Sequence, residues 1–236
     1  MTVWGGCGVP LACAADCRST YGVRLLALDT SHLFVLMRTA RRLQPSAVKA
    51  ALLQLIDAHA CDTRRRLVAS DFVIAYEVLA IPSTPGDAHV SSFLSAADVS
   101  QRMVMHDDST WTDLPSHCPS PSGRQFGEGD RRWVACLEAA AASQDDAAYI
   151  AADDEDLLLN VRDCVEAGQI DSMPIHTTDL LWRLKVCGAV GLEVIEAMLE
   201  AEEARIHADA AMQDRKRSIK LERLDRVAAR VGLADA

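Results

Sequence analysis

One stretch organises this sequence, namely residues 149–159, which read YIAADDEDLLL. The apolar run at 147–152 has the length of a buried strand, and residues 157–165 have the pattern of a helix. Four acids stand between them: Asp153, Asp154, Glu155 and Asp156. Like charges this close are costly unless a cation or protons relieve them. The stretch predicts either a metal-binding edge of a sheet or a solvated loop in which Asp153 or Asp154 caps the helix.

Composition limits the class of protein. The chain has 236 residues, of which 50% are hydrophobic and 5% aromatic, and its formal net charge is −10. It is long enough for one large domain with an aliphatic core. The negative charge argues against a protein whose whole surface binds nucleic acid. No apolar run is long enough to cross a membrane, and residues 1–22 lack the basic start of a secretory signal, so we expect a loosely ordered lead-in there.

The eight cysteines are scattered and stand mostly in apolar contexts. A chain of this length and core content does not need a disulfide scaffold, so we expect reduced thiols and a cytoplasmic location. No C-x-x-C pair occurs, and Cys7, Cys13 and Cys17 lack the spacing of a zinc site. The cysteines therefore give no reason to expect bound zinc.

The strand-then-helix arrangement also occurs at residues 23–28, VRLLAL. This nearly continuous apolar run is typical of a strand buried on both faces of a parallel sheet. A helix is expected over 33–40, with Thr30 or Ser31 as its cap, or with Asp29 itself in that role. Asp29 therefore stands at a strand end, as Asp153 and Asp154 do.

Further units of the same kind follow along the chain. Residues 67–69 predict a strand and residues 72–79 a helix, in which Glu77 is the one acid of an otherwise apolar segment. Such a glutamate needs an arginine partner or a function. Residues 172–177 predict a last strand, placed at an edge because of Pro174. These units predict a three-layer α/β/α fold with a short, mostly parallel central sheet.

Two regions depart from the repeated units. Residues 82–129 are rich in proline and glycine and predict a long flexible insertion or flap near the active edge, with one or two helical turns within 91–105. Residues 191–236 predict a C-terminal helical extension of one or two amphipathic helices. That extension either packs on the domain or forms a dimer, or it contacts a partner protein or nucleic acid.

Basic residues stand close to two of the predicted elements. Pro45 is expected in the first turn of a second helix. The cluster at 64–66 (RRR) is either a solvated turn or a phosphate contact. Asp130 is a candidate N-cap for a helix over 131–142. Arg131 and Arg132 stand in its first turn, where the helix dipole disfavours positive charge. Their position indicates that they contact an anionic ligand.

The carboxyl ends of parallel strands meet at one edge of a sheet, so acids distant in sequence are expected to converge there. The acids concerned are Asp29, Glu77, Asp130, Asp154 and Asp156. Clusters of three to five carboxylates suit Mg²⁺ or Mn²⁺. The matching chemistry is phosphodiester hydrolysis, in which the metal orients and acidifies a water molecule.

Four motifs in this order make residues 23–190 resemble the PIN-domain nucleases. They are LALDTS (26–31), AYEVL (75–79), GEGD (127–130) and IAADDEDL (150–157). Position 152 is alanine, where family members often carry threonine or serine. The resemblance implies that the metal-binding and catalytic acids are Asp29, Glu77, Asp130 and Asp154, with Asp156 as an auxiliary ligand. It also matches Ser31 to the small polar residue that follows the first acid, and we expect Ser31, Arg131 and Arg132 to contact substrate.

The function implied by this resemblance is a Mg²⁺- or Mn²⁺-dependent endonuclease. RNA is the expected substrate and DNA the alternative. A homodimer is also expected, because dimers are common in the family. The other hypothesis is a non-catalytic PIN-like module whose C-terminal helices bind a partner protein, such as an antitoxin-like inhibitor.

Overall fold

The structure, a computed structural model, describes residues 23–60, 66–70, 93–106, 127–142 and 147–232. Within these ranges five strands form one sheet in the order β3-β2-β1-β4-β5, and every neighbouring pair is parallel. The strands are β1 (Val23–Leu28), β2 (Arg66–Ser70), β3 (Val104–His106), β4 (Ala147–Ala152) and β5 (Met173–His176). The predicted α/β class with a parallel sheet is therefore confirmed.

The helices of the described ranges come between and after these strands. They are α1 (Thr30–Leu43), α2 (Val48–His59), α3 (Ala96–Ser100), α4 (Glu128–Ala142), α5 (Glu155–Glu166), α6 (Thr177–Val186), α7 (Leu192–Ala208) and α8 (Asp214–Arg230). The chain adds β2 and β3 on one side of β1, and β4 and β5 on the other. Right-handed connections then require α1 and α2 on one face of the sheet, and α4 and α5 on the opposite face. This arrangement is compatible with the predicted three layers.

The central strand β1 explains why its sequence is continuously apolar. Leu25 to Leu28 are all at most 2% exposed, because neighbouring strands cover both edges and helices cover both faces. The C-terminal helices share this hydrophobic core. Val194, Ile195 and Met198 of α7 are buried in it, together with Leu224 and Val227 of α8. Helices α7 and α8 therefore pack on the sheet domain through an apolar face.

Two predicted helix starts are wrong by a few residues. Pro45 lies in a turn before α2, which begins at Val48, so it is not in the first turn of the helix. Helix α4 begins at Glu128, so Asp130 lies inside its first turn and is not its N-cap. Helix α6 is capped by His176, whose side chain accepts the Thr178 N–H.

Other predictions about the strands and loops have mixed outcomes. The helical turn expected within 91–105 is confirmed as α3, but the short strand β3 was not predicted. Pro174 does lie in an edge strand, as expected, because β5 pairs only with β4 in the described sheet. Arg66 of the basic cluster belongs to β2 and not to a connecting loop.

The expectation of reduced thiols is wrong for two cysteines. Cys164 in α5 and Cys187 at the end of α6 are disulfide-bonded, and both are buried. The expectation of a cytoplasmic location depended on reduced thiols, so it loses that support. Among the described residues, no helix is both long enough and apolar enough to span a membrane.

Some predictions concern parts of the chain outside the described residues. These are the lead-in at 1–22, the arginines at 64 and 65, the helix at 72–79 with Glu77, and most of the insertion at 82–129. For Arg132 the helix backbone is described but the side chain is not.

Candidate functional site

The candidate site lies where the order of the sheet reverses. Strands β1 and β4 are parallel neighbours, with Leu28 opposite Ala151, and the chain moves outward from them in opposite directions. In open α/β sheets, ligands bind in the crevice beyond the carboxyl ends of the strands at such a switch point. Asp29 directly follows β1, and Asp153 and Asp154 follow β4. The fold therefore brings these sequence-predicted acids to one edge.

Ser31 joins the two strand ends. Its hydroxyl donates to Asp29 Oδ2 at 2.6 Å. The Ser31 Oγ atom also accepts the backbone N–H groups of Asp153 at 2.8 Å and Asp154 at 3.1 Å. The Asp29 N–H donates in turn to the carbonyl of Ala151 at 2.9 Å. One small polar side chain thus fixes the position of Asp29 relative to the turn that carries Asp154.

Asp29 is the N-cap of α1, which confirms the alternative in which Asp29, and not Thr30 or Ser31, caps this helix. Its side chain accepts the N–H of Ser31 at 2.9 Å, and the residue is only 6% exposed. The partial positive charge of a helix N-terminus stabilises a carboxylate in this position. The Asp29 carboxylate is therefore buried, and two donors of Ser31, the backbone N–H and the hydroxyl, fix its orientation.

Asp154 is the N-cap of α5. Its Oδ1 accepts the N–H of Asp156 at 2.8 Å and of Leu157 at 3.3 Å, while the residue remains exposed at the surface. Asp156 is also exposed, in the first turn of the same helix. The cap fixes the direction of the Asp154 carboxylate, and its exposure leaves it accessible to a ligand.

Asp153 differs from its neighbour Asp154, because Lys220, Arg205 and His176 surround its carboxylate. Its Oδ2 lies 3.1 Å from Lys220 Nζ and 3.6 Å from Arg205 Nη2, and its Oδ1 lies 3.3 Å from His176 Nε2. Burial alone raises the pKa of this carboxyl, but His176, Lys220 and Arg205 outweigh burial and hold the pKa well below its usual range. Asp153 is therefore an ionised structural partner, and Asp154 is the acid that faces solvent.

The cations around Asp153 belong to a larger buried network. Arg205 Nε also donates to Glu202 Oε2 at 2.8 Å, and the other oxygen of Glu202 accepts from Arg38 Nε at 2.5 Å. The Glu202 side chain is 3% exposed. Charged residues this deeply buried require partners. The network connects α1, α7, α8 and the end of β4 through side chains alone.

A signal for this network was present in the sequence but was not used. Glu202 stands four residues after Met198 and four before Ile206, and Lys220 stands four before Leu224. Each charge therefore falls on the apolar stripe of its helix. A charge in such a position predicts a buried ion pair, although the sequence does not say with which residue.

A second buried polar chain joins α1, α2 and α6. His59 Nδ1 lies 2.6 Å from the carbonyl of Leu55 and must donate to it, so Nε2 of a neutral His59 accepts from His32 Nε2 at 3.0 Å. His32 Nδ1 then accepts the hydroxyl proton of Thr177 at 2.9 Å. Burial, and next the neighbouring His59, hold the pKa of His32 well below its usual value. The His32 imidazole is therefore neutral and has a structural role.

Two further predicted site residues lie at the start of α4. Asp130 is partly buried in the first turn of α4, and Arg131 is exposed beside it. Within the described ranges, no group of three or more His, Cys, Asp or Glu side chains is arranged so that it could hold a metal ion. The two acids that the structure clearly brings together are Asp29 and Asp154.

Comparison of the chain with protein-family models, with curated proteins and with solved structures gave no match. A functional conclusion must therefore come from the geometry of the site.

Proposed function

We propose that this protein is a metal-dependent endonuclease of PIN-like fold that hydrolyses phosphodiester bonds, preferably in RNA. The observation that carries the proposal is the link that Ser31 makes between Asp29 and the turn bearing Asp154. That link lies at the switch point of a parallel sheet, which is the position where such folds bind ligands.

The donors at this edge suit a hard cation. Asp29 and Asp154 offer carboxylate oxygens from adjacent strand ends, and oxygen ligands are those that Mg²⁺ and Mn²⁺ prefer. By the resemblance, Glu77 and Asp130 complete the set, with Asp156 as an auxiliary ligand. A bound metal supplies an acidified water molecule and neutralises charge on the phosphate.

The residues of the chain itself have separate roles in this proposal. Ser31 fixes the Asp29 carboxylate by donating to it twice, from its backbone and from its hydroxyl. The helix cap fixes the Asp154 carboxylate. Arg131 is exposed at the start of α4 and attracts the phosphates of the substrate, with Arg132 beside it.

The test is a cleavage assay on the full chain, with labelled RNA and labelled single-stranded DNA, in Mn²⁺ and in EDTA. Asp154→Asn is the sharpest variant, because asparagine caps a helix as well as aspartate does and the fold is kept. We expect cleavage of RNA that needs the metal and falls by about 100-fold or more in Asp154→Asn and in Asp29→Asn.

Glu200→Gln is the matched control, since Glu200 is an exposed acid of α7 paired with Arg42. It should cleave as the wild type does, which shows that removing an exposed acid elsewhere has no general effect. The loss in Asp154→Asn, purified in the same way, excludes a contaminating nuclease as the source of the wild-type cleavage. Full metal-dependent cleavage by both aspartate variants would overturn the assignment of the site.

A second candidate function is partner binding without catalysis. The observation in its favour is a groove of about 580 Å³ between α5, β5 and α8, beside which Met173 and Ile219 are exposed. Exposed apolar side chains in a groove favour a protein partner. Calorimetry separates the two functions: binding heat with Mn²⁺ supports the nuclease, and its absence supports the binding module.

A further inference from the structure

Helix α8 contacts the residues on both sides of Asp154. Lys220 Nζ lies 3.1 Å from Asp153 Oδ2 and 3.5 Å from the Asp153 carbonyl oxygen. One helical turn further on, Arg223 Nη1 donates to Glu155 Oε1 at 2.9 Å. The exposed acid of the candidate site is therefore flanked by two residues that a single helix holds in place.

We propose that α8 positions Asp154 for metal binding, with Lys220 and Arg223 as positioning residues. The inference rests on the proposed function, because it concerns the same site. It makes α8 a part of that site, although Lys220 and Arg223 stand more than 60 residues after Asp154 in the chain.

The contact of Lys220 with Asp153 is more buried than that of Arg223 with Glu155, so the two contribute differently to holding the turn. The Lys220 side chain is 9% exposed and ends against Asp153, whose other side-chain neighbours are Arg205 and His176 at longer distances. Lys220 also reaches the backbone oxygen of the residue that precedes Asp154. The pair of Arg223 and Glu155 is more open to solvent, so it contributes less.

Helix α8 is independently fixed, so it can act as a rigid support. Leu224 and Val227 are buried in the core of the domain. Arg217 donates to the carbonyls of Ile206 and Asp209 at the end of α7, which joins the two C-terminal helices. Loss of the Lys220 ammonium should therefore leave α8 in place and loosen the turn at residues 153–156.

The experiment uses the full chain with Lys220→Met, Arg223→Met and the double variant. Arg230→Met is the matched control, because Arg230 lies on the same helix and makes an ion pair with Asp179 of α6, away from Asp154. Lys220→Arg keeps the charge and is the rescue variant. Two quantities are measured: amide hydrogen exchange over residues 153–157, and the Kd for Mn²⁺ by calorimetry.

We expect Lys220→Met to speed exchange of the Asp154, Asp156 and Leu157 amides and to weaken Mn²⁺ binding by about tenfold. Arg223→Met should have a smaller effect on both, the double variant the largest, and Arg230→Met none. Lys220→Arg should recover most of the wild-type affinity. Should Lys220→Met not fold, the more exposed Arg223→Met still gives a measurable shift in both readouts if the inference holds.

The outcomes separate this inference from the proposed function. A wild type that binds no Mn²⁺ overturns both. A wild type that binds Mn²⁺, with variants whose Kd stays within twofold of it, overturns only the positioning role of α8. Faster exchange without a change in Kd also overturns it, because α8 then holds the turn without affecting the ligand.

Discussion

Ser31→Ala tests the link on which the candidate site depends. The substitution removes the hydroxyl that donates to Asp29 Oδ2 and accepts from Asp153 and Asp154. A hydrogen bond to a charged group contributes about 1.5–3 kcal/mol, and a buried N–H left unpaired costs about 1 kcal/mol more. The Asp153 N–H is partly buried, but the Asp154 N–H is exposed and can bond to water. The total is a loss of about 3 kcal/mol in the free energy of unfolding.

For a chain of this size, about 3 kcal/mol corresponds to a fall in Tm of about 6–12 °C. Urea unfolding measures the free energy and calorimetry the Tm. Ser218→Ala is the matched control, because the Ser218 hydroxyl donates to Glu222 on the exposed surface of α8, and we expect a change below about 0.5 kcal/mol there. A loss below about 0.5 kcal/mol for Ser31→Ala as well would refute the reasoning, since the hydroxyl would then hold nothing in place.

Three further predictions concern the buried groups. Glu202→Ala should lower the free energy of unfolding by about 3 kcal/mol, because it removes the buried carboxylate that Arg38 and Arg205 share, whereas urea unfolding of Glu200→Ala should show less than about 1 kcal/mol. The pKa of His32 is lowered in the fold, so the unfolded state binds more protons and stability falls as the pH drops below about 6.5. The slope from this group is at most about 1.4 kcal/mol per pH unit, and His32→Gln should remove it in unfolding curves at different pH values. Thiol-specific labelling of the denatured, unreduced chain, read by mass spectrometry, should leave Cys164 and Cys187 unmodified.

The sequence predicted the parts of the fold that depend on local patterns. Continuous apolar runs predicted β1 and β4, because a strand that is buried on both faces is apolar at nearly every position. The apolar stripes of α7 and α8 gave the C-terminal helices. The placement of Asp29 and Asp154 at strand ends also followed, because each acid comes directly after such a run.

Contacts between residues that are distant in the chain could not be predicted from the sequence. The three-residue strand β3 is too short for a periodic signal, and it becomes a strand by pairing with β2. The pairing of Lys220 with Asp153 joins residues 67 positions apart. His176 became a cap because its ring accepts the Thr178 N–H, a role that the adjacent threonines fill more often. In the first two cases the deciding contact joins elements that are distant in sequence, and in the third it is a local contact that residue preference does not predict.

The acid-rich turn shows how this selection changes the functional argument. Four acids in a row first indicated a metal, because their mutual repulsion needs relief. The structure supplies relief from the protein itself, since Lys220 pairs with Asp153 and Arg223 with Glu155. The density of acids is therefore no evidence for a cation. The observation that favours a metal is more specific. Asp154 makes no ion pair with the described residues and remains exposed between these two pairs, on a turn that Ser31 links to Asp29. The Mn²⁺ affinities of Asp154→Asn and Lys220→Met test that argument directly.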